Sequence, residues 1–347
     1  MRKIAFSILI IICLSQTISF SQTGGKNSFE FVNLPGNAHV AAIGGTNVSV
    51  YDKDVNMVWQ NPALLRDSMN RILSVNYIPF FASIKGGSMS YSHKFKTIGT
   101  IAAGIQYINY GTMIQTDETG NEIGSFHPQD VAFMVAKSHT IGAFSLGATL
   151  KYVSSTITPT YSSSALMTDV GGIFRHPIRD FTIGMTFKNI GLALKKYDKN
   201  APARAPFDVQ LGTTYKFEHI PLRFSVTANH LYKYDIAYLD TAQNKKYDLN
   251  GNEIIQKKNV ADKILPHFII GAEFLLSKNF NVRLAYNFQR RLEMRLENKA
   301  GGTGLSWGIM FRIKWLEFDF SRATYSVAGG KNWVSIAMDM DRLFGKN

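Results

Sequence analysis

The chain of 347 residues lacks two features that stabilise or anchor many exported proteins. It has one cysteine, Cys13, and no apolar stretch after residue 21 that is long enough for a transmembrane helix, which needs about 20 consecutive apolar residues. Cys13 lies in the leader described next, so the exported protein would have no disulfide, no thiolate nucleophile and no metal held by cysteine. Its stability must come from another source. Closure of a barrel is one, because it pairs every backbone group with a neighbouring strand.

The first residues have the composition of a secretory signal peptide. Two basic residues are followed by an apolar run from Ile4 to Leu14, and small residues occur at Ser19 and Ser21. This order predicts a signal peptide over residues 1–21, cleaved between Ser21 and Gln22. An uncleaved membrane helix is the alternative, but polar residues interrupt the run too early for it.

The most informative pattern begins near residue 71 and continues almost to the end. Segments of about ten residues alternate apolar and polar side chains, as in residues 280–288, 305–313 and 316–321. Successive side chains of a strand point to opposite faces, so each segment has one apolar and one polar face. In a soluble sandwich the apolar face would be the core. In a transmembrane barrel it faces lipid, and the polar face lines the lumen.

The links between the segments favour the barrel. We predict fourteen strands, near residues 71–78, 84–94, 98–109, 130–138, 144–155, 165–175, 181–190, 207–217, 222–231, 267–276, 279–289, 303–313, 316–324 and 333–341. Short links alternate with long ones, and the long ones are 110–129, 156–164, 191–206, 232–266, 290–302 and 325–332. Outer-membrane barrels have short periplasmic turns and long external loops. An all-β, fourteen-stranded antiparallel barrel is therefore predicted, integral to the outer membrane, with both termini periplasmic and long loops extracellular.

The segment before the barrel, residues 22–70, is too long to be only a leader. Gly44 and Gly45 indicate a bend or a close approach of the backbone. Asn61, Pro62 and Ala63 are typical of a helix start, with Asn as N-cap and Pro at the first helical position. We expect this periplasmic segment to fold into the lumen as a plug. The predicted organisation is thus signal peptide 1–21, plug segment 22–70 and barrel 71–347.

No motif in the sequence predicts catalysis, a cofactor or a metal. The eight histidines are scattered, and no nucleophile motif accompanies them. Two acidic turns, 117–122 and 248–253, resemble calcium loops, but the twelfth position holds Pro128 or Asn259 instead of glutamate. Tight turns at hairpin tips explain both better. We therefore predict that the protein is not an enzyme.

Charged residues recur on the predicted inner face of the last strands. They are Arg283, Arg312, Glu317, Asp319 and Asp339. Charges inside a narrow barrel must be paired or hydrated, so a cross-strand ion network is predicted. A conduction path lined by the same groups is the alternative.

Acidic residues are fewer than basic ones, 25 against 38, and the formal net charge is +13. No aromatic–basic interleaving indicates nucleic acid as a partner. The anions at an outer membrane are lipopolysaccharide phosphates and acidic proteins, and both are candidate partners. Alternatively, the basic loops only solvate the barrel rims. The longest link, 232–266, is basic, and its residues Lys245, Lys246, Lys257 and Lys258 are the predicted partner-binding positions.

Several phrases of the sequence resemble the PorQ family of type IX secretion system proteins. They are GGKNSFEF at 24–31, LP at 34–35, AAIGG at 41–45, NPAL at 61–64, AGIQYINYG at 103–111, DETGNE at 117–122, GAEF at 271–274, SKNFN at 277–281 and YNFQRR at 286–291. The resemblance covers essentially the whole mature chain.

This resemblance implies a FadL-like barrel of fourteen strands in the Bacteroidetes outer membrane. It also implies association with the attachment complex of PorU, PorV and PorZ, which processes secreted cargo and joins it to lipopolysaccharide. The sortase-like chemistry belongs to PorU, so this barrel would be a non-enzymatic anchor, with the long basic loop docking the PorZ-like component. FadL-like relatives also include importers of hydrophobic small molecules, which supplies the alternative function.

Overall fold

The computed structural model describes residues 27–80, 84–198, 203–236, 246–247, 253–254, 259–294, 301–326 and 329–345. The predicted cleavage site at Ser21 and Gln22 lies outside these residues and stays a prediction. Among the described residues, no helix is both long enough and apolar enough to cross a membrane.

Fourteen antiparallel strands form a closed barrel, as the sequence predicted. They are β1 (Ile72–Pro79), β2 (Lys85–Phe95), β3 (Gly99–Asn109), β4 (Gln129–Ile141), β5 (Phe144–Thr158), β6 (Tyr161–Arg175), β7 (Phe181–Lys195), β8 (Asp208–Lys216), β9 (Leu222–Ala228), β10 (Phe268–Phe274), β11 (Phe280–Asn287), β12 (Leu305–Ile313), β13 (Leu316–Ser326) and β14 (Gly329–Asp339). Closure joins the first strand to the last, with Ile72 opposite Asp339 and Tyr77 opposite Val334.

Side chains alternate between the two faces of the wall as the pattern requires. On β4, Phe133 and Val135 are 49% and 53% exposed, whereas their neighbours Ala132 and Met134 are buried. The exposed residues of β5, such as Leu146 and Leu150, repeat this phase. The exterior of this barrel is apolar, and closure pairs the strand edges along most of the wall. Both features suit a lipid environment, so the protein is a transmembrane barrel.

The alternation of short and long links is less regular than predicted. The turns at one end, called here the short-turn end, are short: 96–98, 142–143, 176–180, 217–221, 275–279 and 314–315. At the opposite, long-loop end, three links are also short: 80–84, 159–160 and 327–328. The expectation of long links over 156–164 and 325–332 was therefore wrong. The strands there continue further than predicted, because β5 pairs with β6 as far as Thr158 and Tyr161.

The remaining elements are short. The described residues contain four helices, α1 (Ala38–Ala42), α2 (Val260–Ile264), α3 (Phe288–Met294) and α4 (Met340–Leu343). They also contain five 3-10 turns, Glu30–Asn33, Val55–Trp59, Pro62–Leu64, Asp67–Met69 and Leu265–His267. Two small hairpins, Met113–Thr116 with Glu122–Phe126 and Lys246–Tyr247 with Glu253–Ile254, lie outside the barrel sheet at the long-loop end.

Residues 27–70 occupy the lumen and cross it from one end to the other. Near the long-loop end, Ser28 donates its backbone N–H to the carbonyl of Arg204 at 2.9 Å. At the short-turn end, Asn70 donates to Asp341 at 2.7 Å. The termini themselves lie outside the described residues, so their predicted placement on one side stays a prediction. Within the described residues, Ser28 lies near the long-loop end and Asp341 near the short-turn end, because residues 27–70 cross the lumen once before β1 begins.

Candidate functional site: the plug and the polar lumen

The glycine pair Gly44–Gly45 presses the plug against the wall just after α1. Both residues have left-handed backbone angles, with φ of 99° and 98°. A Cβ at Gly44 would lie 2.3 Å from Cγ2 of Ile269, so only glycine fits there. The Gly44 carbonyl accepts hydrogen bonds from Asn287 at 3.0 Å and from Arg290 at 3.2 Å. The pair thus ends the helix and attaches it to strand β11 and helix α3.

A second attachment point is the Asn61–Pro62–Ala63 segment. The Asn61 side chain is fully buried; it accepts from the Ala63 N–H at 3.0 Å and donates to the Val48 and Gly172 carbonyls at 2.9 and 3.2 Å. Asn61 is the N-cap predicted from the sequence, but the element that follows is a single 3-10 turn and not a longer helix.

Glycines of the wall leave room for this segment. A Cβ at Gly171 would lie 1.9 Å from Asn61 Oδ1, and one at Gly147 would lie 2.4 Å from the Pro62 carbonyl carbon. These residues have ordinary negative φ values, so space and not backbone angle is the reason for glycine. The plug backbone therefore contacts the wall directly at Gly147, and the Asn61 side chain contacts it at Gly171.

The predicted charges of the last strands form separate ion pairs. One pair, Arg283 with Asp319, also belongs to a larger network around Glu273. Arg283 donates to Asp319 and, at 3.1 Å, to Glu273. Arg312 pairs with Glu317 near the short-turn end. Asp339 pairs with Lys53 of the plug at 2.7 Å. The wall thus holds two of the expected ion pairs, and a third is made with the plug.

Glu273, which the sequence analysis did not select, is the centre of the network. The Arg223 guanidinium donates to its two carboxylate oxygens at 2.9 and 2.8 Å and, through its other donors, to Asp52 of the plug at 2.7 and 2.6 Å. Glu273 and both its arginine partners are buried. Arg223, Glu273 and Arg283 lie opposite one another on β9, β10 and β11. From the sequence, Glu273 could have been selected by pairing the predicted strands and finding an acidic residue opposite a basic one on each side.

His39 of helix α1 completes the network from the plug side. Its Nδ1 lies 2.8 Å from Asp54 and its Nε2 lies 3.2 Å from Glu273. Both ring nitrogens face carboxylate oxygens, an arrangement that favours the doubly protonated, cationic imidazole. Oxygen and nitrogen atoms of His39, Asp52 and Glu273 lie within 4.8 Å of one another, as in a metal site. The arginines, however, already occupy the carboxylate oxygens, so the donor set fits an ion network and not a metal centre.

The acidic turn at 117–122 is a hairpin tip that binds its own backbone. The Asp117 carboxylate accepts from the N–H groups of Thr119 and Asn121 at 2.9 and 2.8 Å and from the Thr119 hydroxyl at 2.7 Å. Hydrogen bonds from Thr119 and Asn121 lower the pKa of Asp117 to about 2. The corresponding turn at 248–253 lies almost wholly outside the described residues.

The barrel wall has a gap between β7 and β8 near the long-loop end. The two strands pair only as far as Lys188 and Asp208, while β7 continues to Lys195 along β6 alone. Asn189, with φ of 56°, lies where the register shifts. A cavity of about 560 Å³ lies in the gap. Its lining is largely apolar but also carries the polar and charged side chains of Asn189, Lys196 and Arg204; the apolar residues include Ile190, Leu192, Ala193, Ala205 and Phe207.

Most of the predicted partner loop lies outside the described residues. Lys245, Lys257 and Lys258 lie outside the described residues, and Lys246 belongs to a two-residue strand. Its role in binding stays a prediction.

Comparisons with known proteins identify no family. No family model matches the sequence, and no curated protein matches it. Among solved structures, the Pseudomonas putida toluene transporter TodX is similar, with 10% identity over 88% of this chain and 97% of that chain and a TM-score of 0.47. The CymD monoaromatic hydrocarbon channel has 12% identity over 90% and 97%, with a TM-score of 0.48. A Pseudomonas aeruginosa FadL homologue has 13% identity over 87% and 98%, with a TM-score of 0.42. These values are too low to carry any argument, so the fold rests on the strand pairing described above.

Proposed function

We propose that this protein is a non-enzymatic component of the type IX secretion system in the outer membrane. In this role it anchors the cell-surface attachment complex, which includes PorU, PorV and PorZ and joins secreted cargo to lipopolysaccharide. The short turns would face the periplasm and the long loops the cell surface.

The observation that carries this proposal is the way in which the plug is built into the wall. Ion pairs join Asp52 and His39 of the plug to Arg223 and Glu273 of the wall, and all of these side chains except Asp52 are buried. Close backbone contacts at Gly44 and Asn61 add to them. The phrases that resemble the PorQ family, AAIGG and NPAL, are these contact points. A barrel filled in this way is suited to hold partners and not to conduct solutes.

Affinity purification from native outer membranes tests the proposal. A tagged copy should co-purify PorU, PorV and PorZ, and deletion of the gene should release cargo from the cell surface into the medium. A strain carrying a tag on an unrelated outer-membrane barrel is the control. If the tagged copy isolates none of the three partners and cargo stays attached in the deletion strain, the proposal is wrong.

The alternative function, import of hydrophobic small molecules, is supported by a different observation. The apolar gap between β7 and β8 would let such a molecule pass sideways between the wall and the lipid. Ala193→Trp together with Ala205→Trp would fill this gap, whereas Leu166→Trp, on the lipid-facing side of β6, would not. Uptake of a hydrophobic compound that depends on the protein, falls in the double variant and persists in the control would favour import over anchoring.

A further inference from the structure

Two arginines at the short-turn end of the lumen lie against one aromatic ring. The guanidinium carbon of Arg66 is 4.3 Å from the centre of the Tyr51 ring, and that of Arg175 is 5.3 Å from it. Tyr51 and Arg66 belong to the plug. Arg175 ends β6 in the same phase as the buried, lumen-facing residues Gly171 and Ile173. Arg66 is half-buried, and Arg175, the last residue of β6, is exposed at the mouth of the lumen.

Neither arginine has an acidic partner in the part of the chain that the structure describes, where no carboxylate oxygen lies within 4.0 Å of either side chain. The neighbouring acid, Asp67, is bound by Lys94 at 2.6 Å and by the Thr100 hydroxyl at 2.8 Å. Nε of Arg66 is buried and has no hydrogen-bond partner. Two like charges at one ring repel each other, and an unsatisfied buried N–H is unfavourable. A bound anion would relieve the repulsion between the two guanidinium groups.

The arginines border a cavity of about 770 Å³ that opens at the short-turn end. Its rim also includes Lys137 and His139, which are exposed and share the outward phase of Phe133 on β4, so the basic groups that this cavity holds on the lumen side are the two arginines. Five hydroxyl side chains also line the cavity, and their oxygens could accept hydrogen bonds from the backbone N–H groups of a bound peptide. They belong to Ser68, Thr97, Thr100, Ser138 and Thr140. This space is several times larger than one phosphate or carboxylate group.

We propose that this basic cavity, formed by Arg66, Arg175 and Tyr51, binds an acidic segment of a polypeptide. The two guanidinium groups would hold its carboxylates through paired hydrogen bonds, and the Tyr51 ring would keep them in place. A lipid headgroup fits less well, because a lipid whose chains stay in the membrane would have to reach across the strand ends into the lumen. The site is independent of whether the barrel anchors a complex or imports a small molecule.

Binding of a fluorescein-labelled hexaglutamate peptide to the full chain in non-ionic detergent tests this site. Arg66→Gln with Arg175→Gln should weaken binding by about tenfold or more, the effect of losing charge-assisted hydrogen bonds. Lys85→Gln with Lys195→Gln removes the same charge at the long-loop end and should change it by less than about twofold. Tyr51→Ala should weaken binding, and Tyr51→Phe should not. Heat-modifiable migration in gels verifies that each variant is folded.

The control ligands decide between specific binding and general attraction. A hexaglutamine peptide should not bind, and inorganic phosphate at millimolar concentration should not displace hexaglutamate. Equal losses in the arginine and lysine double variants would contradict the proposal, as would undiminished binding in a folded arginine variant. If inorganic phosphate or vesicles of anionic phospholipid displace the labelled hexaglutamate, the cavity would instead be assigned to a phosphate group.

Discussion

Arg223 and Glu273 face each other on neighbouring strands, and two guanidinium nitrogens of Arg223 donate to the two carboxylate oxygens of Glu273 at 2.9 and 2.8 Å. This pair also connects the barrel to its plug, because Arg223 continues to Asp52 and Glu273 continues to His39. Opposite charges thus compensate one another in the lumen. Removal of any one residue of this network is expected to lower the stability of the folded barrel.

Glu273→Gln should strongly destabilise the protein. The change leaves Arg223, Arg283 and His39 buried with one carboxylate fewer, and breaking a buried pair by removing one partner costs about 3–5 kcal/mol. The temperature at which the folded form disappears in heat-modifiable gels should fall clearly. Glu218→Gln, at an exposed turn, is the control and should leave it unchanged. An unchanged temperature for Glu273→Gln would mean that the network does not stabilise the fold.

Gly171→Ala should displace the plug, because the new Cβ would lie 1.9 Å from Asn61 Oδ1. Overpacking of this kind costs about 1–3 kcal/mol. Gly172→Ala is a matched control on the next residue, where the nearest side-chain atom, Cδ2 of Leu146, is 3.4 Å away. Channel activity in planar bilayers should increase for the first variant only. Equal behaviour of the two variants would show that Asn61 moves aside without consequence.

Deletion of residues 36–66 should open the lumen. These residues carry α1, the Asn61 turn and Asp52, which pairs with Arg223, and most of them are buried between the strands. Purified intact protein should show little steady conductance, and the deletion should raise it while heat-modifiable migration reports that the barrel persists. A large conductance of the intact protein would instead favour a transport function.

Labelling of single cysteines on intact cells should establish the orientation. Asn121 belongs to the hairpin tip at the long-loop end, and Asp180 belongs to a turn at the short-turn end. If the long loops are extracellular, a cysteine at Asn121 should react with an impermeant maleimide and one at Asp180 should react only after permeabilisation. The opposite pattern would reverse the proposed orientation.

Deletion of residues 240–258 should weaken docking of the PorZ-like partner. The predicted lysines of this loop, Lys245, Lys246, Lys257 and Lys258, would steer an acidic partner towards the rim. Co-purification of the partner is the measurement, and normal heat-modifiable migration shows that the barrel is intact. Deletion of 114–124, the other hairpin at this end, is the control. Full recovery of the partner without 240–258 would exclude the loop as the docking site.

The sequence by itself determined the barrel. Alternation with period two identified all fourteen strands, because the face to which a side chain points follows from its position in the strand. This pattern can be recognised from neighbouring residues alone. It also identified Arg283 and Asp319 as lumen charges. The ends of strands were less certain: β5 and β6 run further than expected, because polar residues near Thr158 and Tyr161 continue a ladder outside the apolar pattern.

Only the tertiary structure decided how the plug meets the wall. Asp52, His39 and Asn61 have no periodic pattern, and their partners Arg223, Glu273 and Gly172 are more than a hundred residues away in the chain. Such contacts depend on how an irregular segment fills a closed lumen. The helix and strand propensities of neighbouring residues give no information about that. The same holds for the gap at Asn189, where two strands stop pairing, and for the arginines at Tyr51, which meet no carboxylate among the described residues.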